Sequence, residues 1–263
     1  MNFPLSVCAQ LDQLPLAMEA GFDYLEPAFV LVAGMEKTAF EEQCRRVLAS
    51  PLRAEAMNSM LPGDMVLYGG EEDTRRVCEF VRVGMERAAR LGCRCVIFGS
   101  GTARQIPEGK TREEAEETLC ALLEKMCAIA EPYGIRIAVE PLRAEETNFL
   151  HFLPEAAQMA SRLPQCRNLG VNADVFHMVN GKEPLSDLAA IGPLLYHAHI
   201  CTPRRSFPVP GNPEDDAVAK DFLRALWECG YRGRVSVEAI PVDLPTEAIA
   251  SLAHLRKLMK EMA

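Results

Sequence analysis

Three acidic residues and two histidines stand where short apolar runs break off: Glu140 in IRIAVEP, Asp174 in LGVNADVFH, His197 and His199 in LYHAHI, and Glu238 in RVSVEA. Three carboxylates with one imidazole form the donor set of a divalent, oxygen-preferring cation. HAH places both imidazoles on one face of a strand, so spacing alone does not choose between them. Asp174 sits in an otherwise apolar run, where an acid without a partner is costly to bury. The chemistry such a centre serves is proton transfer on carbon. A C–H beside a ketone is a weak acid, and its removal needs a positioned base and a cation that stabilises the enediolate oxygens. Two carboxylates on opposite sides of a substrate can take a proton from one face and return one to the other. Glu140 and Glu238 are the expected pair.

Residues so distant in the chain meet when each ends a strand of a (β/α)8 barrel, because the C-terminal strand ends converge on one mouth. Eight apolar runs qualify as strands: 4–9, 22–27, 52–60, 94–100, 135–141, 168–174, 195–201 and 234–240. Between them lie amphipathic segments around 11–20, 37–49, 71–91, 111–131, 154–163, 184–191, 214–229 and 244–262. Thr111 precedes Arg112, Glu113 and Glu114, so its hydroxyl can cap a helix whose first turn is acidic. Gly21, Gly92, Gly134 and Gly230 each stand between a helical segment and the next strand, the left-handed C-cap position. Strand alternating with helix implies a parallel sheet, and eight units favour closure over an open, doubly wound sheet. No GxGxxG follows the first strand, which excludes the Rossmann alternative. The expected fold is an α/β single-domain (β/α)8 TIM barrel over 1–263.

Composition agrees. A chain of 263 residues, 49% hydrophobic and 25% charged, is long enough for one barrel of about 250 residues. A net charge of −9 argues against nucleic-acid partners and anionic membranes, both of which call for basic surface. The ten cysteines are scattered, mostly in apolar segments, and read as small buried hydrophobes; Cys93 and Cys95, the one close pair, read as structural. With no secretory leader at the N-terminus and no span-length apolar stretch, a reducing cytoplasm is the expected location.

The runs VEPLRAEETNFL, ADVFHM, HAHICTPRRSFPVPG and GYRGRVSVEA, with GFDYLEP and NSMLPGD earlier, resemble the xylose isomerase-like barrel superfamily of sugar isomerases and epimerases, most nearly its D-tagatose and D-psicose 3-epimerases. The resemblance implies one divalent ion, Mn2+, Mg2+ or Co2+, with Zn2+ a further occupant in crystals. It selects His199 over His197 and makes Glu140, Asp174, His199 and Glu238 the metal set. It also implies that His177 contacts a substrate oxygen, that Glu146 positions the substrate, and that Arg205, rather than the adjacent Arg204, binds the sugar's hydroxyl end. The implied activity is isomerisation or epimerisation of a ketose through an enediolate, with the two glutamates as acid and base. Hydroxypyruvate isomerase-like chemistry, a partner-dependent lyase acting on C-glycosides, and non-catalytic sugar or metal binding are the alternatives. A homo-dimer or tetramer is the expected assembly.

The endonuclease IV type of this barrel has an Asp three residues beyond the histidine; Thr202 stands there, which argues against three-metal DNA chemistry. Many isomerase relatives carry a PGxG turn, whereas this chain reads PGNP over 210–213, and Pro213 stiffens the turn. The Gly-rich run 99–109 lets backbone approach a ligand, and its Arg104 is a candidate substrate contact. Met60, Pro62, Phe29 and Phe207 are candidate apolar walls of the mouth. Glu26 either lines the mouth or anchors a neighbouring loop. His151 reads as structural.

Overall fold

Strands that run parallel need a crossover between neighbours, and the chain supplies a helix for each. The computed structural model describes residues 1–262. Its strands are β1 (Leu5–Val7), β2 (Ala56–Met57), β3 (Cys95–Phe98), β4 (Arg136–Val139), β5 (Leu169–Asp174), β6 (Leu195–Ile200) and β7 (Val235–Val237). They form one curled, all-parallel sheet in the order β1-β7-β6-β5-β4-β3-β2. The helices are α1 (Leu14–Ala20), α2 (Phe29–Gly34), α3 (Lys37–Ala49), α4 (Glu71–Arg90), α5 (Gly101–Arg104), α6 (Arg112–Ala130), α7 (Leu153–Ser161), α8 (Val175–Asn180), α9 (Asp187–Ile191), α10 (Pro213–Glu228) and α11 (Leu244–Glu261). All eight expected helical segments are present. The short α2, α5 and α8 follow strand ends without an amphipathic period long enough to read from sequence.

Seven of the eight expected runs are strands. The run 22–27 is not: it makes only the isolated bridge Cys8↔Glu26, with a second, Ala28↔Asn58, just beyond its end. Its backbone is nonetheless bonded on both edges. Glu26 N–H donates to Val7 O at 3.3 Å and Leu25 N–H to Arg53 O at 2.9 Å. Two side-chain effects break the ladder. Pro27 has no N–H to give, and the Asp23 carboxylate takes the Leu5 N–H at 2.8 Å.

Helix caps follow the residues. Thr111 and Glu114 form a reciprocal capping box at α6, and Asn212 caps α10. Gly134 ends the helical turn after α6 at φ 65°, where a Cβ would be strained. The apolar faces of the helices and the outer faces of the strands form the main core; α4 contributes Val77, Val81, Met85 and Ala88 at helical spacing. A smaller cluster of Tyr24, Ala56, Cys95, Ile97 and Ala138 fills the space inside the curl. All ten cysteines are free, and Cys93 and Cys95 are buried. No helix among the described residues is long and apolar enough to cross a membrane.

Register brings the strand ends level. Asp174 lies opposite His199, and His199 opposite Ser236, two residues before Glu238. Glu140 follows β4 directly, its N–H bonded to Phe98 O at 3.1 Å, and the Glu238 N–H bonds Ile200 O at 3.2 Å.

Candidate active site

Because four neighbouring strands stop at one level, Glu140, Asp174, His199 and Glu238 place one ligand atom each within 4.8 Å of one another. His199 Nδ1 lies 3.2 Å from Glu140 Oε1 and 3.4 Å from Glu238 Oε2. Asn172, two residues before Asp174 and therefore on the same face, donates to Glu140 Oε1 at 2.7 Å. Nothing in the sequence marks Asn172, since a lone amide within a strand carries no chemical signal of its own.

Asp174 has two duties. Its Oδ1 accepts the Phe176 N–H at 2.7 Å and so caps α8, while its buried Oδ2 has no partner. Burial, then Glu238 and Glu140, push this carboxyl well above the ordinary range, against the pull of His199 and Arg205. Burial would also raise Glu238, but His199 and Arg205 outweigh it and hold that carboxyl low. Burial works against charge on His199; Glu26 and Glu238 reverse this and raise its pKa. An orphaned carboxylate oxygen beside two further carboxylates and an imidazole fits a divalent cation, which would neutralise the crowded charge.

Beside these residues lies a cavity of about 220 Å³ whose lining includes Glu140, Glu146, His177, Arg205 and Glu238. Ser59, Leu61, Gly63, Leu142 and the 99–102 loop complete it. His177 Nδ1 accepts the Arg143 N–H at 3.4 Å, which leaves the proton on Nε2. Burial lowers the His177 pKa, favouring the neutral ring. Arg143 Nε holds Glu146 Oε1 at 2.8 Å. Arg205 donates to Glu238 Oε2 at 2.8 Å and stacks 4.7 Å over the Phe176 ring. Its backbone adopts φ 58°, a left-handed conformation that turns the side chain inward. Arg204 instead points outward to Asp215.

The structure thus brings Glu140, Asp174, His199, Glu238, His177, Glu146 and Arg205 together, and leaves His197 outside the four-ligand cluster. Arg104 is not in the cavity wall. It is fully buried, donates to Glu140 O at 2.9 Å, and burial lowers its pKa to about 10. An arginine drawn beneath a Gly-rich loop satisfies backbone carbonyls there, a role its sequence position does not reveal. Met60, Pro62, Phe29 and Phe207 are likewise absent from the wall, whose apolar members are Leu61 and Leu142. Glu26 is buried below the cavity, bonded to both His197 and His199.

Comparison with known proteins agrees with this architecture. The family model of the xylose isomerase-like TIM barrel matches residues 14–258. The 2-oxo-tetronate isomerase of Haemophilus influenzae is 28% identical over 241 residues, covering 88% of each protein. Among solved structures, a D-allulose 3-epimerase from Methylomonas sp. superposes with a TM-score of 0.81 at 18% identity, covering 97% of this chain and 98% of its own. The 3-keto-D-glucoside 4-epimerase of E. coli superposes with a TM-score of 0.80 at 19% identity, covering 97% of this chain and 100% of its own. At these identities the structural likenesses speak to fold.

Proposed function

We propose that this chain, which belongs to the xylose isomerase-like TIM barrel family, is a divalent-cation-dependent isomerase or epimerase that moves a proton on a small hydroxy-ketone through an enediolate. The observation that carries this reading is the convergence of Glu140, Asp174, His199 and Glu238 beside a polar cavity. In this reading the segment 22–28 takes the place of the eighth barrel strand, supported by its hydrogen bonds on both edges.

Glu140, Asp174, His199 and Glu238 would hold the cation. When bound, it would supply Lewis-acid polarisation of a substrate carbonyl. The protein's own groups do the rest. Glu140 and Glu238 both reach the cavity, so one can take the proton from carbon and the other return it. Arg205, by pairing with Glu238, favours its ionised form, as a base requires. Neutral His177 presents Nε2–H to a substrate oxygen, and Glu146, held by Arg143, accepts from a hydroxyl. Leu61 and Leu142 limit water access.

The cavity favours a short substrate. About 220 Å³ lies below the ~300–1,000 Å³ of sites for drug-sized ligands. With the 28% identical 2-oxo-tetronate isomerase, this supports a second reading: isomerisation of a three- or four-carbon 2-oxo acid, its carbonyl moving from C2 to C3, rather than epimerisation of a hexulose. Incubating the Mn2+-loaded protein with hydroxypyruvate, four-carbon 2-oxo acids and free ketoses, with products assigned by NMR, tests both. A carbonyl moved from C2 to C3 of an acid, which gives an aldehyde from hydroxypyruvate and a 3-oxo acid from a four-carbon substrate, supports isomerisation; a ketose epimer supports the first reading. Inertness across the panel with the cation bound rejects both.

A further inference from the structure

Glu26 takes no part in the cavity wall, yet its carboxylate is bonded more fully than any other in the interior. It is 0% exposed. Oε1 accepts from His199 Nε2 at 2.7 Å, and Oε2 accepts from His197 Nε2 at 2.8 Å and from the Ser236 hydroxyl. The Tyr24 phenol meets the same Ser236 oxygen at 2.7 Å. Backbone bonds to Val7 O at 3.3 Å and from the Ala9 N–H at 3.1 Å fix Glu26 itself. The carboxylate therefore has no freedom to swing away.

When a cation takes the place of one ring proton, the nitrogen that donates to a carboxylate keeps its proton and the other offers the lone pair. For His199 that other nitrogen is Nδ1, the atom facing Glu140 and Glu238. We propose that Glu26 is a positioning residue that locks His199 in its Nε2–H form, aims Nδ1 into the four-ligand cluster and thereby sets the affinity of the cation site. This rests on the reading of those four residues as the cation's ligands.

The arrangement also gives the second histidine of HAH a role. The two rings lie 5.0 Å apart and nearly perpendicular, each donating to a different oxygen of the same carboxylate. His197 braces the brace. Its own Nδ1 is buried and without a partner, so the bond to Glu26 and a 3.4 Å approach to Ser236 are its polar contacts. A glutamate suits the place because a carboxylate accepts from both imidazoles at once and makes the ligating nitrogen more basic.

The test compares wild type, Glu26→Gln and Tyr24→Phe by Mn2+ titration calorimetry and by 1H–15N spectra of the imidazoles in the Mg2+-loaded proteins. Tyr24→Phe disturbs the same buried network without touching the Glu26–His199 bond. We expect wild type to show exchange-protected Nε2–H signals for both rings. Glu26→Gln, which keeps one accepting oxygen and turns an NH2 towards the other imidazole, should lose at least one of them and bind Mn2+ about 10–100-fold more weakly, while Tyr24→Phe keeps the wild-type affinity. Equal Mn2+ affinity in wild type and folded Glu26→Gln would overturn this proposal alone. A wild type that takes up no Mn2+ would overturn the cation reading and this proposal together. If Glu26→Gln does not fold, the wild-type spectrum decides: a proton on Nδ1 of His199 in the Mg2+-loaded protein contradicts the proposal, and one on Nε2 upholds it.

Discussion

Gly99 and Glu140 are in contact so close that any side chain at the first position displaces the Glu140 carboxylate. A Cβ on Gly99 would lie 2.4 Å from Glu140 Oε2, well inside contact distance. The end of β3 thus defines one side of the slot that holds the Glu140 carboxylate. Gly99→Ala is expected to push that carboxylate out of line while the fold persists. A displacement of about 1 Å can cost roughly 100-fold in rate, so kcat should fall by that order with Tm little changed. Unaltered kcat would show that Glu140 does not need this placement.

Arg104 touches backbone rather than cavity. Its guanidinium serves the carbonyl oxygens of Glu140 and Phe98, at 2.9 and 3.4 Å. Both bonds come from Nη1, and Phe98 O also accepts the Glu140 N–H, so Arg104→Met leaves the Glu140 carbonyl without this donor, which costs about 1–3 kcal/mol. Thermal unfolding should therefore register the change, with KM unaffected. A large rise in KM at unchanged Tm would instead restore Arg104 as a substrate contact.

Acid groups away from the site give a stability signature. Burial raises the Glu183 carboxyl to about 7, helped by Asp187 and Glu155 and opposed by the Leu153 N–H that Oε1 accepts at 2.6 Å. A carboxyl raised in the folded state keeps its proton where the unfolded chain has lost it. Stability then falls as pH rises from the ordinary glutamate range to about 7, and stays lower above that. Glu183→Gln keeps the acceptor and removes the titration. Urea titrations from pH 4.5 to 8 should show the variant gaining on wild type as pH rises; parallel profiles would count against the shift.

Cation binding should stabilise the fold. Asp174, raised by burial and by two neighbouring carboxylates, is ionised at a cost that a bound cation removes. Free cation at 100 times its Kd adds about 2.7 kcal/mol. Mn2+ should raise Tm and EDTA should reverse the rise, with Asp174→Asn responding much less. A Tm indifferent to both additions in wild type would contradict the assignment.

Much of this was readable from residue order. Strand-end acids stood out because each interrupts an apolar run, and the helices announced themselves by period and by caps such as Thr111 with Glu114. What escaped were consequences of tertiary contact. Local chemistry at Pro27 and Asp23 unmakes the expected second strand, though its apolar pattern is sound. Arg104 looks like a surface loop arginine until α5 folds it beneath the mouth. The choice between His197 and His199, and between Arg204 and Arg205, depends on where side chains point, which neighbouring positions in sequence do not encode. Glu26 was visible as a strand-end acid, but its two imidazole partners lie more than 170 residues away.

The most direct test is deuterium exchange. Proton NMR of the responsive substrate in D2O, with Mn2+-loaded wild type and the Glu140→Gln and Glu238→Gln variants, reads the proton transfer itself. The account predicts incorporation of deuterium at one carbon next to the carbonyl, lost in both variants while each remains folded. Turnover without solvent exchange, or exchange that persists in both variants, would contradict a glutamate-mediated enediolate.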